Sequence, residues 1–329
     1  MSAIEVSDLE IEFRHRGHPP VRAVAGASVS VEPGQIVGLV GESGCGKSTL
    51  AQAAVGLLPA SGGSVVFGGQ QIVPLTRGQR PKEQVKLQLV FQNPFSSLNP
   101  RRRVGSQIAD GFETLGEIGR AERHARVQAL LERVGLPAQA AQRFPHQFSG
   151  GQRQRIAIAR ALAAEPNMII LDEPLSALDT SAQAQIANLL SSLASDLGIA
   201  LLLISHDLAI VRQIADTVSV MYLGVIVESG PTEEIWACPR HPYTRALIDA
   251  IPTHDFSSRA PKALPGDVPD PAHPPSGCRF HPRCPIMVDR CTSEVPTLST
   301  VGTDHLAACW RLDETAAAET GGSEHAAGG

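Results

Sequence analysis

The sequence predicts an α/β fold: a mostly parallel sheet covered on both faces, with an antiparallel β unit before it and a helical unit inserted into it. Three observations predict this. Gly41-Glu-Ser-Gly-Cys-Gly-Lys-Ser-Thr49 fits the phosphate-binding pattern G-x-x-x-x-G-K-[ST], between an apolar run and a helical pattern. Residues 168–171 and 200–204 are apolar throughout, as strands buried on both faces must be. Between residues 106 and 136, apolar side chains recur at helical rather than strand spacing.

In chain order, residues 4–13 alternate apolar and polar (Ile4, Val6, Leu9, Ile11, Phe13), and Val29 and Val31 read as the partner strand, ended by Glu32-Pro-Gly34. Phe13 suits either stacking on a nucleotide base or a place in the core. Residues 35–40 form the strand into the loop, and residues 49–58 the helix out of it. The loop's glycines let backbone N–H groups turn inward on an anion, and the helix adds its N-terminal positive end. In a P-loop, Lys47 reaches the β- and γ-phosphates and Ser48 ligates Mg²⁺. A chance match would lack this strand–loop–helix context. Residues 62–72 read as a hairpin turning at Gly68-Gly69.

Residues 87–91 are a further apolar run. Gln92 follows it, placed to touch Mg²⁺ and an attacking water or else to be a solvated loop residue. Arg101-Arg-Arg103 reads as a solvated face. Ile108, Phe112 and Leu115, then Val127, Leu130, Leu131 and Val134, mark two helices parted by Gly116 and Gly119. Ser149-Gly150-Gly151 opens a helix over 156–164. This is either a second anion site or an ordinary serine cap with a glycine pair. It cannot easily meet the P-loop's phosphate from the same side within one chain. Asp172 and Glu173 end the apolar strand at 168–171. Asp172 is placed to hold Mg²⁺, and Glu173 to polarise a water. Residues 176–179 open the next helix, with Asp179 in its first turn. The strand at 200–204 ends in Ser205-His206-Asp207, so His206 can reach a γ-phosphate. Residues 218–223 and 225–227, parted by Gly224, close the sheet.

Composition sets bounds on function. The 329 residues suit one large domain or two. A charged fraction of 19% and a hydrophobic fraction of 43% are ordinary for a globular chain. The net charge of −5 gives no support for a nucleic-acid partner. No run reaches the ~18 apolar residues of a membrane span. Glu5, Asp8, Glu10 and Glu12 are wrong for a signal peptide. The expectation is a cytoplasmic protein that can dock on a membrane protein.

These residues together resemble the nucleotide-binding subunit of ABC transporters. The match rests on the P-loop (Gly41, Glu42, Ser43, Gly44, Cys45, Gly46, Lys47, Ser48, Thr49), the Q-loop glutamine Gln92 and the signature Phe148-Ser149-Gly150-Gly151-Gln152. The Walker B run 168–173, the D-loop ending in Asp179 and the switch His206 complete it. Phe148 stands where leucine is usual. Within the family the chain is similar to the oligopeptide/dipeptide/nickel importer branch, through residues 91–100, His241-Pro-Tyr-Thr-Arg-Ala-Leu247 and residues 277–285.

The resemblance implies an ABC-type ATPase over residues 1–235, with a helical subdomain at about 93–155 and an importer-type extension over 236–312. It also implies two subunits clamping two ATP molecules, each site joining one subunit's P-loop to the other's signature. Phe13 would stack on the base, and Ser48, Gln92 and Asp172 would organise Mg²⁺. Glu173, Gln92 and His206 would act in catalysis. Ser149, Gly150, Gly151 and Gln152 would complete the partner's site. The implied partners are two transmembrane permeases, a second ABC ATPase (identical or sister) and, through the complex, an extracytoplasmic solute-binding protein. The implied place is peripheral, on the cytoplasmic side of the cell membrane. The implied function is that of an ATP-binding and ATP-hydrolysing subunit that powers a membrane importer of di- or oligopeptides; a nickel or other small-solute importer and a soluble ABC ATPase are the alternatives. Soluble ABC proteins usually carry a long coiled-coil insertion or two cassettes, and this chain has neither.

The tail begins with a proline-rich, extended stretch over 252–285 that includes Pro261, Pro265, Pro269, Pro271, Pro274 and Pro275. Cys278, Cys284, Cys291 and Cys309 follow at spacings x5, x6 and x17. Four thiolates suit a [4Fe–4S] cluster or a tetrahedral zinc, or the thiols are free. The resemblance favours the cluster, with His281 and His305 as substitute ligands. Cys45 and Cys238 read as structural. Residues 313–329, rich in Ala, Gly and Glu, are expected to be disordered.

Overall fold

A computed structural model describes residues 2–14, 16–17, 19–75, 80–93, 97–116, 118–251 and 266–312. Two sheets carry the fold. The first is antiparallel and follows from the alternation at the N-terminus. β1 (Ile4–Phe13) pairs with β2 (Val21–Val31) on one side and with β4 (Gly62–Phe67) on the other. β5 (Gln70–Gln71) closes the expected hairpin. β2 begins earlier than the sequence predicts, because its outer half pairs with β1 through bulges that break the apolar alternation.

The second sheet has eight strands. Its parallel part comprises β3 (Ile36–Val40), β6 (Leu87–Val90), β7 (Met168–Asp172), β8 (Ala200–Ser205) and β9 (Thr217–Tyr222). These lie in the order β9-β3-β8-β7-β6. The apolar runs are explained by two cores. Ile169, Leu171, Leu201 and Leu203 face one, while Met168, Ile170, Ala200, Leu202 and Ile204 face the other. Period-two alternation therefore buries every side chain on these strands, with no polar face left over.

The second core also takes Leu50, Ala51 and Ala54 of α1 (Lys47–Ala54) and the inner face of the antiparallel sheet. The first core takes the helices beyond the sheet's other face. After the short α2 (Lys82–Val85) come α3 (Val104–Ala109), a 3₁₀ turn at Asp110–Leu115, α4 (Arg120–Arg133) and α5 (Gly150–Leu162). On α4, Val127 and Leu131 point inward from an otherwise charged helix, which is the i, i+4 stripe that keeps it folded by packing. α6 (Thr180–Leu197) and α7 (Leu208–Ile214) complete this layer.

The C-terminal part is built into the main sheet. β10 (Val225–Pro231) pairs antiparallel with β9 and, on its far side, with β12 (His305–Ala307), which β11 (Ser299–Gly302) extends. The sequence does not predict these two strands: each is short and lacks an apolar run. α8 (Thr232–Ala237), α9 (Pro242–Asp249) and α10 (Arg290–Ser293) lie between β10 and β11. Glu228 on β10 is fully buried and accepts from Arg240 N–H (2.7 Å), His241 N–H (2.8 Å) and His305 Nε2 (2.8 Å). Three charge-assisted bonds offset the desolvation of the carboxylate and pin the extension to the sheet. His305 is thereby engaged with Glu228, away from the substitute-ligand role expected of it. Residues 266–270 and 274–275 have no regular structure, in keeping with their prolines; Pro261, Pro265 and 313–329 lie outside the described residues.

Candidate functional site

The P-loop leaves β3 and enters α1 two residues earlier than predicted, with Lys47 as the first helical residue. Two glycines are forced by space. A Cβ on Gly41 (φ +153°) would sit 2.1 Å from Met221 O, and one on Gly46 (φ +109°) 2.2 Å from Ala23 O. The loop therefore passes tightly between β2 and β9, and only glycine fits at both points. Lys47 is 4% exposed. Its ammonium donates to Gly41 O (2.7 Å) and Glu42 O (3.0 Å) and lies 3.7 Å from Cys45 Sγ. The cation is held inside the curl of the loop, where the loop's own carbonyls solvate it. Cys45 is buried there, and desolvation pushes its thiol up.

Ser48 Oγ donates to Asp172 Oδ1 at 2.8 Å, so the P-loop hydroxyl and the end of β7 meet as expected. Burial raises Asp172 above the ordinary aspartate value, against the opposing bond from Ser48; the neighbouring charge of Glu173 adds to the rise. A cation between Ser48 and Asp172 would favour the ionised carboxylate and offset that shift, and two hard oxygen donors suit Mg²⁺. Glu173 follows with φ +49°, unusual for a residue with a Cβ, fixed by its N–H donating to Ile204 O (2.9 Å). This backbone turn aims the carboxylate at β8, where His206 Nδ1 lies 2.5 Å from Glu173 Oε2. A histidine there can donate Nδ1–H to the carboxylate from a half-exposed ring. A cavity of about 430 Å³ opens beside Glu173, lined also by Gln92, Gly150, Gln154 and Ser176. The Q-loop glutamine and the start of the signature helix thus border the same space as the carboxylate.

The signature serine is the N-cap of α5. Its hydroxyl accepts from Gln152 N–H (3.4 Å), while the Gln152 side chain accepts from Ser149 N–H (3.1 Å). This reciprocal capping box holds Gly150 and Gly151 in the first turn with their amides at the helix's positive end. Asp179 is the N-cap of α6, accepting from Ala182 N–H (2.8 Å), one position before the first turn where it is expected. Aspartate there satisfies a donor that a first-turn residue could not reach. Phe13 ends β1 half-buried and packs on the second core.

The four extension cysteines come together. Cys278 N–H donates to Cys291 O (2.8 Å). Burial, and then the charges of Cys291, Cys284 and Cys309, push the Cys278 thiol up to about 11; Cys284 and Cys309 are raised chiefly by burial. Yet among the described residues no group of three or more His, Cys, Asp or Glu is placed to hold a metal ion. The expected thiolate site is met as a neighbourhood and not as an ion's coordination shell. His281 Nδ1 is 2.9 Å from Cys278 O, bonded to backbone.

Two residues near the P-loop stand in the sequence only as members of longer motifs. Tyr243 on α9 accepts the Glu42 N–H at its hydroxyl (2.8 Å), and Arg283 meets the Glu42 carboxylate at 2.7 and 3.1 Å. No sequence signal pairs them with a loop about two hundred positions away. No helix among the described residues is long and apolar enough to cross a membrane.

Comparison with known proteins agrees with this geometry. Residues 24–176 match the ABC transporter family, and residues 227–291 match the C-terminal region of oligopeptide/dipeptide transporters. The chain is 47% identical over 284 residues to a di/tripeptide transport ATP-binding protein, DppF, of Pseudomonas aeruginosa, covering 86% of this chain and 88% of that one. Among solved structures it is similar to cbiO1 of Clostridium perfringens, part of an ABC transporter complex (TM-score 0.62, 29% identity, 72% of this chain and 91% of that one). It is also similar to the dimeric ATP-binding cassette MJ0796 bound to ADP and Pi in a post-hydrolysis state (TM-score 0.62, 25% identity, 70% and 98%).

Proposed function

This chain belongs to the ABC transporter family of ATP-hydrolysing subunits, and from that premise we propose that it powers the import of di- or oligopeptides across a membrane. The observation that carries the reading is the 47% identity, over 86% of the chain, to a di/tripeptide transport ATP-binding protein, which takes in both the P-loop and the extension.

The geometry supports the following residue roles in this reading. Lys47 exchanges the carbonyls of Gly41 and Glu42 for the β- and γ-phosphates, and the amides of residues 43–49 cradle the same anions. Ser48, Asp172 and Gln92 would hold Mg²⁺, which would supply charge neutralisation at the phosphates. Glu173 takes the proton of the attacking water, whose oxygen bonds to the γ-phosphorus as the bond to the bridging oxygen breaks; ADP and inorganic phosphate leave. His206 holds Glu173 through Nδ1 and turns Nε2 toward the γ-phosphate. Phe13 stacks on the base. Ser149, Gly150, Gly151 and Gln152 present a capped helix N-terminus to a second subunit's ATP, with Asp179 beside the seam. The dimeric cassette MJ0796 supports this two-chain site.

The partners in this reading are two permeases, a second ATPase subunit and, beyond the membrane, a solute-binding protein. The chain sits peripherally on the cytoplasmic face. The likeness of the extension to that of oligopeptide/dipeptide transporters, and not the geometry of the sulfurs, supports a [4Fe–4S] cluster on Cys278, Cys284, Cys291 and Cys309. Anaerobically purified protein should then be brown, with iron and acid-labile sulfide in equal amounts; colourless protein with stoichiometric zinc contradicts it.

A pull-down of tagged Glu173→Gln from native membranes in Mg-ATP tests the assignment. The stalled clamp should retain two polytopic permeases and lead to a binding protein that carries peptides. Recovery of ribosomes or DNA-repair proteins in their place overturns the transport reading.

A further inference from the structure

The P-loop carries a carboxylate. Glu42 is the second residue of a loop built to bind phosphate, and its backbone carbonyl already touches the Lys47 ammonium at 3.0 Å. An acid in that position repels the anion the loop must hold, unless its charge is cancelled. The structure cancels it from the far end of the chain. Arg283, in a 3₁₀ turn at His281–Arg283 and 6% exposed, faces Glu42 fork to fork, Nη1 to Oε2 at 2.7 Å and Nη2 to Oε1 at 3.1 Å. The guanidinium is fixed from behind. It lies over the rings of Tyr222 (5.9 Å) and Phe280 (6.0 Å), and Nη1 is 3.4 Å from the Tyr222 hydroxyl. Tyr222, Tyr243 and Phe280 pack as one aromatic group with centroids 4.6–5.4 Å apart. Tyr243 from that group also receives the Glu42 N–H. The extension therefore holds this one P-loop residue by its backbone and by its side chain. Surface ion pairs contribute little, but a bidentate pair with one partner buried is a fixed electrostatic element.

We propose that Arg283 of the C-terminal extension is a positioning residue for the nucleotide site, neutralising and orienting Glu42 so that the P-loop presents a net positive cradle to ATP. The inference rests on the P-loop reading above. It assigns the extension a task in nucleotide affinity, separate from any group on its cysteines. A charge effect has a direction that a structural one lacks. Arg283→Met leaves the Glu42 carboxylate unopposed beside the phosphates. Glu42→Gln leaves the guanidinium unopposed, which attracts them. The double variant removes both charges.

The test is titration of the full-length chain with a non-hydrolysable ATP analogue and Mg²⁺ by calorimetry. Arg283→Met should raise Kd about tenfold or more, from one unscreened charge at close range. Glu42→Gln should lower Kd, and the double variant should recover most of the Arg283→Met loss. Arg283→Lys, which keeps the charge but not the fork, should fall between; it serves as well if Arg283→Met does not fold. If Glu42→Gln weakens binding as much as Arg283→Met, or the double variant is no better than Arg283→Met, the pair is only a brace and the proposal is overturned. Lys47→Ala separates the premises. Analogue binding that survives Lys47→Ala undermines the P-loop reading itself, whereas its loss upholds that reading, and the Arg283 series then decides the proposal.

Discussion

The His206 imidazole and the Glu173 carboxylate meet at 2.5 Å across the ends of two neighbouring strands, β8 and β7. The strained turn at Glu173 and the end of β8 place them together. Removing the ring frees the carboxylate to rotate. His206→Ala should cut kcat by about a hundredfold and leave ATP affinity within a few-fold. Steady-state hydrolysis and equilibrium nucleotide binding, measured side by side, check the split.

Asp172 gives a prediction about pH. Its value is raised by burial above 3.8, so the folded empty site prefers the protonated acid more than the unfolded chain does. That contribution to stability is fully present below the unfolded value and is lost as pH rises through the folded one. Near neutral pH the ionised carboxylate therefore destabilises the nucleotide-free protein. Asp172→Asn keeps an oxygen for Ser48 and should raise the melting temperature of the empty protein by about two degrees or more. The gain should vanish as pH falls toward the unfolded value, and the stabilisation by Mg-ATP should be lost. Thermal melts with and without Mg-ATP across that range are the check.

Gly46 cannot be replaced. Alanine there must keep a left-handed φ and lies 2.2 Å from Ala23 O. Gly46→Ala should cost about 2–3 kcal/mol in denaturant unfolding and abolish nucleotide binding, because the backbone amides leave their common centre.

Glu228 anchors the extension. Glu228→Ala strands the buried His305 and the N–H groups of Arg240 and His241, at a cost of about 3–5 kcal/mol. Limited proteolysis should then cut within residues 266–304 faster in the variant than in the wild type.

The sheet is legible because its strands are apolar on both faces and end in chemistry-bearing residues. Asp172, Glu173 and His206 can be named from that pattern alone. The P-loop helix starts two residues before its apolar pattern does, since Lys47 is polar and its burial comes from the loop's carbonyls. β11 and β12 are illegible: four and three residues long, they owe their pairing to β10 and to the Glu228–His305 contact, not to their own pattern. Arg283 and Tyr243 are visible as letters of motifs, but their contact with Glu42 is purely tertiary. The four cysteines are gathered by their spacing, whereas the distances among their sulfurs depend on packing that spacing does not encode.

Steady-state ATP hydrolysis by Glu173→Gln, run beside ATP binding on the same preparation, tests the central claim most directly. Hydrolysis should fall by about a hundredfold or more, with ATP retained and the chain held as a dimer or with its sister subunit in Mg-ATP. Hydrolysis near the wild-type rate would contradict it, since Glu173 would then not be the base.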